Sequence, residues 1–363
     1  MKEKIYALIK DGEAMRENSR YGDALKVYKR ALSLSRKHSD LDGILDCTLA
    51  VADISRMLGD FDSAVENYEE ALEACEALGN RLTAADCMVG IGLSLRAMCM
   101  WKKAVKFING AKKIYEKEKD KKGIAFSLWA EAGAWRVAGS IGKAIEKFNE
   151  SKKIFSSLND ISGVGYDMCG LGGAHRIAGK YDESLAYYKE ANSVFRKLKD
   201  TFGTAYSYCG IGNAYRMKGD YSKASDNFAK AERLYALIGD IVSYSYTIWS
   251  VANLHIMKGD ATAAVSCAKK AAANFRKTKD PRGLIYCDMI FAEAHFMKGQ
   301  KANAVKILSA AAKSCEAYGF KLEKCHSETL IALMNSEGKR KVSSCYGRLG
   351  VNLKPDSAPF NIP

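Results

Sequence analysis

Arginine stands at one fixed phase of this chain, at Arg16, Arg56, Arg96, Arg136, Arg176 and Arg216, each 40 residues after the last. The phase then turns apolar at Ile256 and Phe296. Glycine keeps the same period at Gly59, Gly139, Gly179, Gly219, Gly259 and Gly299, and so does a bulky apolar or aromatic side chain at Tyr21, Phe61, Trp101, Ile141, Tyr181 and Tyr221. Three residue types in one register mark a repeat array, in which each unit buries its apolar face only against its neighbours. Length then counts units, and eight of them fill residues 1–320.

Within a unit the periodicity is helical. Met168, Leu171, Gly172 and His175 fall at i, i+3, i+4 and i+7, and Tyr208, Ile211, Gly212 and Tyr215 repeat that stripe one unit later. Asp160 precedes the stripe, with Asp40, Asn80, Asp120, Asp200, Asp240 and Asp280 at matching places, all side chains that accept from the free amides of a helix start. Past Gly179, a residue suited to a left-handed terminus, Tyr181, Leu185, Tyr188 and Ala191 mark the buried side of a second helix. Each unit is therefore expected to be a helix hairpin. Residues 321–336 read as a capping helix with Lys321, Glu323, Lys324 and Glu328 outward. Residues 337–363, with three of the four prolines and the basic run Lys339-Arg340-Lys341, read as a tail.

Residues 209–221, Cys-Gly-Ile-Gly-Asn-Ala-Tyr-Arg-Met-Lys-Gly-Asp-Tyr, followed by Ala224, Phe228 and Ala231, resemble the tetratricopeptide repeat in its small-residue, aromatic and alanine positions. The 40-residue unit, longer than the usual 34, is similar to that of the spindle-orientation adaptors built on a Leu-Gly-Asn-containing repeat. The resemblance implies an all-α, right-handed superhelical solenoid of tandem helix hairpins. It also implies that the first helices line a concave side where partner peptides bind.

On those first helices the stripe opposite the packed one carries Tyr166, Cys169, Gly170, Gly173 and Arg176 in the fifth unit, and Tyr206, Cys209, Gly210, Asn213 and Arg216 in the sixth. The seventh contributes Tyr246, Trp249, Ser250 and Asn253, and the fourth Phe126, Trp129, Ala130, Gly133 and Arg136, with Arg96 one unit earlier. Glycine in mid-helix disfavours the helix by up to about 1 kcal/mol, which makes sense where something approaches the backbone, whether a ligand or a neighbouring helix. Stacked first helices lie about 10 Å apart, so consecutive guanidiniums repel by roughly 0.4 kcal/mol in water and more in a partly dry groove. Glu13 and Asp53 stand three residues before Arg16 and Arg56 and offer an internal counter-charge, whereas no acid holds that place from Arg96 to Arg216. Arg136, Arg176 and Arg216 are thus candidates for carboxylates or phosphates of a ligand, with bonds to helix ends as the alternative. As groove cations they are expected to contribute little to folding.

The charge balance, 56 Lys and Arg against 42 Asp and Glu, favours acidic partners. No G-x-x-x-x-G-K-[ST], H-E-x-x-H, G-x-S-x-G or tandem C-x-x-C motif occurs, so neither catalysis nor a cofactor is expected. His175, His255 and His295 share the packed phase, which favours core packing over metal. The eleven scattered cysteines read as free buried thiols, and with no export signal or membrane span legible the expectation is a cytoplasmic protein. The leading functional expectation is a scaffold or adaptor holding an extended or helical acidic partner segment; a polyanion stacked on the groove aromatics, or a peptide-sensing regulator, is the alternative. The tail, with Tyr346, Leu349, Val351, Leu353 and Phe360, is expected to dock on the last units near Phe296 and to stay out of the arginine-lined part of the groove.

Overall fold

A computed structural model describes residues 2–18, 20–336 and 345–363. Two compact units result, residues 1–131 with 236–241, and residues 132–235 with 242–363. The first holds α1 (Lys2–Glu17), α2 (Tyr21–Lys37), α3 (Leu41–Met57), α4 (Phe61–Leu78), α5 (Arg81–Ala97), α6 (Trp101–Glu118) and most of α7 (Lys121–Val137). The second is built on α8 (Ile141–Ser157), α9 (Ile161–Ile177), α10 (Tyr181–Leu198), α11 (Thr201–Met217), α12 (Tyr221–Ile238), α13 (Ile241–Met257), α14 (Ala261–Lys277), α15 (Pro281–Met297), α16 (Lys301–Tyr318) and α17 (Lys321–Met334). Every second helix from α2 onward starts 40 residues after the last, at Tyr21, Phe61, Trp101, Ile141, Tyr181, Tyr221, Ala261 and Lys301. No strand occurs among the described residues. The fold is the all-α array of tandem hairpins that the periodicity calls for.

Local chemistry sets the helix starts. Asp160 and Asp200 each accept from an amide three residues on, Gly163 and Gly203, at 2.8 Å, and Asp280 accepts from Gly283 at 2.9 Å. Asp40 makes no such bond through its side chain. In each hairpin the second helix drives one large side chain inward, among them Tyr28, Tyr68, Phe148, Tyr188 and Phe228, all almost wholly buried beside alanines such as Ala144, Ala191 and Ala224. Burying such a ring is worth about 2–3 kcal/mol, and alanine opposite it lets the backbones close to contact.

In unit 1, α3 packs on α4 and on the next first helix, α5. The internal counter-charge expected at Arg56 is present: Arg56 lies 3.6 Å from Asp53 and 3.3 Å from the Tyr68 hydroxyl, which donates to Asp53 at 2.6 Å.

In unit 2, α9 contacts α10 and α11, and α15 contacts α16 and α17. Three features depart from the sequence reading. Glu323 on α17 does not face outward; it is fully buried, 2.6 Å from Arg282 Nε and 2.8 Å from the Tyr286 hydroxyl, because α17 packs directly on α15 and needs an acid there to neutralise Arg282. Cys325 and Cys345 are not free thiols but a disulfide, with Cα atoms 5.9 Å apart, that ties α17 to the segment after it. A disulfide at this pair does not call for a reducing compartment, as free thiols would. Nine other cysteines are free.

The third departure is the path of the tail. Tyr346 and Val351 join Ile141, Ala174, Ile177, Ala178, Leu322 and Cys325 in one apolar cluster. The Asn352 amide then donates to the Ala178 carbonyl at 3.1 Å, passing so close to Gly179 (φ +83) that any side chain there would meet the Asn352 carbonyl. From that point the chain is neither helix nor strand, bends at residues 357–359, and reaches Glu293 and Arg216. It therefore enters the arginine-lined groove, contrary to the expectation from its basic composition; its described part carries the apolar and amide groups that the groove receives, while Lys339, Arg340 and Lys341 lie outside the described residues.

Candidate functional site

The first helices of unit 2, with Tyr188 of α10, Tyr235 of α12 and Pro363 of the tail, line a half-open cavity of about 200 Å3. Of the residues singled out in the sequence, Arg136, Arg176, Tyr206, Cys209, Gly210, Asn213, Tyr246, Trp249 and Ser250 line it. Arg216 and Asn253 sit behind that surface, in the wall that grips the tail. The others fall elsewhere. In unit 1, Arg96 lies 5.6 Å over the Trp129 ring, and Phe126 stacks on the same ring at 5.6 Å, so these three satisfy one another. Tyr166 donates to Asp200 at 2.7 Å and packs its ring on Phe195, bracing the cap of α11. Cys169 is fully buried, and burial pushes its thiol far up, which makes it an inert packing atom.

Arg216 is not a groove cation in the expected sense. It is 0% exposed. Its guanidinium donates to Asn253 Oδ1 at 2.9 Å, to Asn213 Oδ1 at 3.0 Å, to the Ile362 carbonyl at 2.8 Å and to Asn361 Oδ1, while Asn361 Nδ2 returns a bond to the Arg216 carbonyl at 2.8 Å. Burial, with Arg176 nearby, pulls its pKa down to about 9, still above neutrality, so it remains a cation at pH 7. Glu293 on α15 faces the same segment: its Oε1 accepts from the Phe360 amide at 3.0 Å, and burial lifts its pKa to about 8. Phe360 and Ile362 are buried, and Pro363 lines the cavity.

Arg136 and Arg176 differ from Arg216. Both are half-buried. Arg176 Nε and Nη1 are buried without a hydrogen-bond partner, and the cavity lining includes no aspartate or glutamate. Tyr206 beside Arg136 favours the charged guanidinium and outweighs the effect of burial. Arg282, the third arginine of the lining, is already paired with Glu323. Arg136 and Arg176 thus line the cavity beside the rings of Tyr206, Tyr246 and Trp249. The rings are held from behind, Tyr246 donating to Asp280 at 2.8 Å and Trp249 Nε1 to the Tyr286 carbonyl at 3.2 Å.

The mid-helix glycines have a packing role. A Cβ at Gly170 would strike the Phe148 ring, and one at Gly210 the Tyr188 ring. Close helix packing, rather than room for a ligand, explains both. Of the histidines on that phase, His175 packs its ring at a tilt on Tyr187, centroids 5.3 Å apart, while His255 lies 3.9 Å from Asp260 and His295 bonds Gln300; among the described residues no group of three or more His, Cys, Asp and Glu side chains could hold a metal.

Sequence reasoning missed Tyr188, Tyr235, Arg282, Tyr286 and Glu293. For two of these the signal was present. Tyr286 continues the phase of Tyr166, Tyr206 and Tyr246, and Glu293 that of Asn213 and Asn253, each 40 residues on. Arg282 lies off the arginine phase, so only the packing of α15 reveals it.

The tetratricopeptide repeat family matches over residues 7–77, 44–117 and 168–236. No curated protein matches the sequence. Among solved structures, a Rap protein complexed with competence and sporulation factor is 12% identical with a TM-score of 0.60, over 94% of this chain and 99% of its own. A plasmid-borne Rap conjugation gene regulator in complex with a Phr peptide is 13% identical, TM-score 0.66, over 87% of this chain and 96% of that one. Aspartyl phosphate phosphatase F from Bacillus subtilis is 14% identical, TM-score 0.57, over 81% and 76%. At these identities the likeness is one of fold. With the 40-residue register of its helices and the repeat matches in both units, the chain is a tetratricopeptide-repeat protein.

Proposed function

We propose that this protein is a non-enzymatic peptide-binding regulator or adaptor whose unit 2 groove holds an extended partner segment. The observation that carries the reading is that a non-helical piece of chain already lies there, gripped through its backbone and one amide side chain by Arg216 and Glu293. Backbone contacts of this kind suit extended peptides in general, and the adjoining cavity supplies what selects among them. Arg176 with unpartnered nitrogens, next to Arg136, suits a carboxylate; Tyr206, Tyr246 and Trp249 supply apolar area around it. One of the neighbouring folds was solved with a Phr peptide bound and another with competence and sporulation factor, which accords with the reading. The phosphatase name of a third does not transfer at 14% identity. A cytoplasmic location remains part of this proposal; among the described residues no helix is long and apolar enough to cross a membrane.

The test is fluorescence anisotropy with a labelled acidic peptide and with a single-stranded oligonucleotide of matched charge. It is run on the full chain and on a full chain carrying Asn361→Ala, so that the resident segment does not mask binding. The reading predicts peptide binding that weakens only slightly with salt and falls by roughly tenfold or more in Arg136→Ala/Arg176→Ala. Binding of the oligonucleotide alone, weakening log-linearly with salt, would replace it with the polyanion alternative.

A further inference from the structure

Resting on that reading, we propose that the groove reads an aromatic-Asn-aliphatic triplet. Phe360-Asn361-Ile362 is its resident copy, and a partner carrying such a triplet must displace it. The three positions are gripped differently. Phe360 is buried with its ring 6.3 Å from His326, and its amide is held by Glu293. Asn361 is read in both directions, its carbonyl oxygen accepting from Arg216 Nη1 and its amide nitrogen donating to the Arg216 carbonyl. Asparagine carries its acceptor and its donor on two separate atoms of one short planar amide; serine and threonine put both on a single oxygen, neutral histidine on a larger ring, and glutamine is one methylene too long for the same reach. Ile362 is fully buried, and its carbonyl accepts from Arg216 Nη2 at 2.8 Å.

The reader is itself preset. Asn213 and Asn253, from successive first helices at one repeat phase, accept from the two guanidinium nitrogens at 3.0 and 2.9 Å and fix the fork that meets the triplet. Both asparagines are buried. A loop that only needed to be parked would not require a buried cation braced by two amides, because a desolvated charge is costly unless its partners are in place.

Tethering makes the resident copy a strong competitor. The segment is anchored upstream by the Cys325–Cys345 disulfide and by the Asn352 amide on Ala178, so its effective concentration at the groove is on the order of millimolar. A free peptide with only the same triplet displaces it poorly. A partner that adds a carboxylate toward Arg136 and Arg176, in the part of the groove that is open, has contacts the tail lacks. Tail docking and partner binding are then two exclusive states of one site.

The experiment uses a labelled synthetic peptide of residues 354–363 and a control with alanine in place of Asn361. Each is titrated into the wild-type full chain and the full chain carrying Phe360→Ala and Asn361→Ala, with hydrogen exchange confirming that the helices stay folded. The expected result is binding of the triplet peptide to the variant roughly tenfold or more tighter than to wild type, with the control peptide failing on both. Equal affinity for both proteins would overturn the proposal and leave the groove a peptide site. So would binding of the control as tight as that of the triplet. Failure of the triplet peptide and of every acidic peptide on the variant would sink the peptide-binding reading as well. Should the variant unfold, saturating triplet peptide on wild type must raise amide exchange at residues 360–362; unchanged protection there, with the peptide bound, refutes displacement.

Discussion

Replacing Arg216 with alanine sets two pictures of this residue against each other. As an exposed groove cation it would be dispensable to folding. As the structure has it, the guanidinium donates to Asn213, Asn253, Asn361 and Ile362 from a fully buried position. Four bonds from a charged donor are worth about 1.5 kcal/mol each at the low end, or about 6 kcal/mol together, before the lost packing of the stem. Against this stands the desolvation of the cation, felt in a pKa pulled from 12.5 to about 9, an offset on the order of 4–5 kcal/mol that the truncation relieves. Truncation also leaves the Asn213 and Asn253 oxygens buried and unpaired, at about 1–2 kcal/mol each, so the net loss is about 3–6 kcal/mol. Arg136→Ala, half-buried, should lose under about 1 kcal/mol. The assay is urea unfolding followed by tryptophan fluorescence, with hydrogen exchange at residues 360–362 as a second readout. Arg216→Ala should lower stability by the stated amount and expose the tail, and Arg216→Lys should recover less than half, since lysine cannot fork. A loss below about 0.5 kcal/mol with tail protection intact would show that the buried bonds do not hold the groove together.

Asp167, fully buried with Oδ2 accepting from Ser151 at 2.9 Å, has its pKa pushed by burial from 3.8 to about 8. A raised acid favours the protonated fold, so its contribution is complete below pH 3.8 and is lost as pH rises through about 8; Asp167→Asn should raise the melting temperature at pH 8–9 and flatten its fall between pH 4 and 8, leaving the part due to Glu293. Gly210→Ala should destabilise by about 1–3 kcal/mol through the Tyr188 ring despite the better helix propensity of alanine; a higher melting temperature would mean that the glycine is there for space. Cys325→Ser opens a link spanning 20 residues and should weaken tail anchoring by up to about 3 kcal/mol, read as faster exchange over 345–363 with α17 still protected.

What was legible in the sequence is whatever repeats. Helix hairpins announce themselves because a fixed period places Asp160, Asp200 and Asp280 at helix starts and Tyr188 and Phe228 at buried centres, and both effects act within a few residues of chain. The groove row was legible for the same reason, and Tyr286 and Glu293 were within reach of the same count. What each arginine does was not. Arg56, Arg136, Arg176 and Arg216 share one phase, yet one is paired to Asp53, two face a cavity and one is buried among amides. Those differences depend on partners far away along the chain, Asn361 and Ile362 above all, 145 and 146 residues from Arg216. Periodicity describes each repeat against its neighbours; a unique tail folding back across them has no period, and only its packing decided which cation was free to meet a ligand.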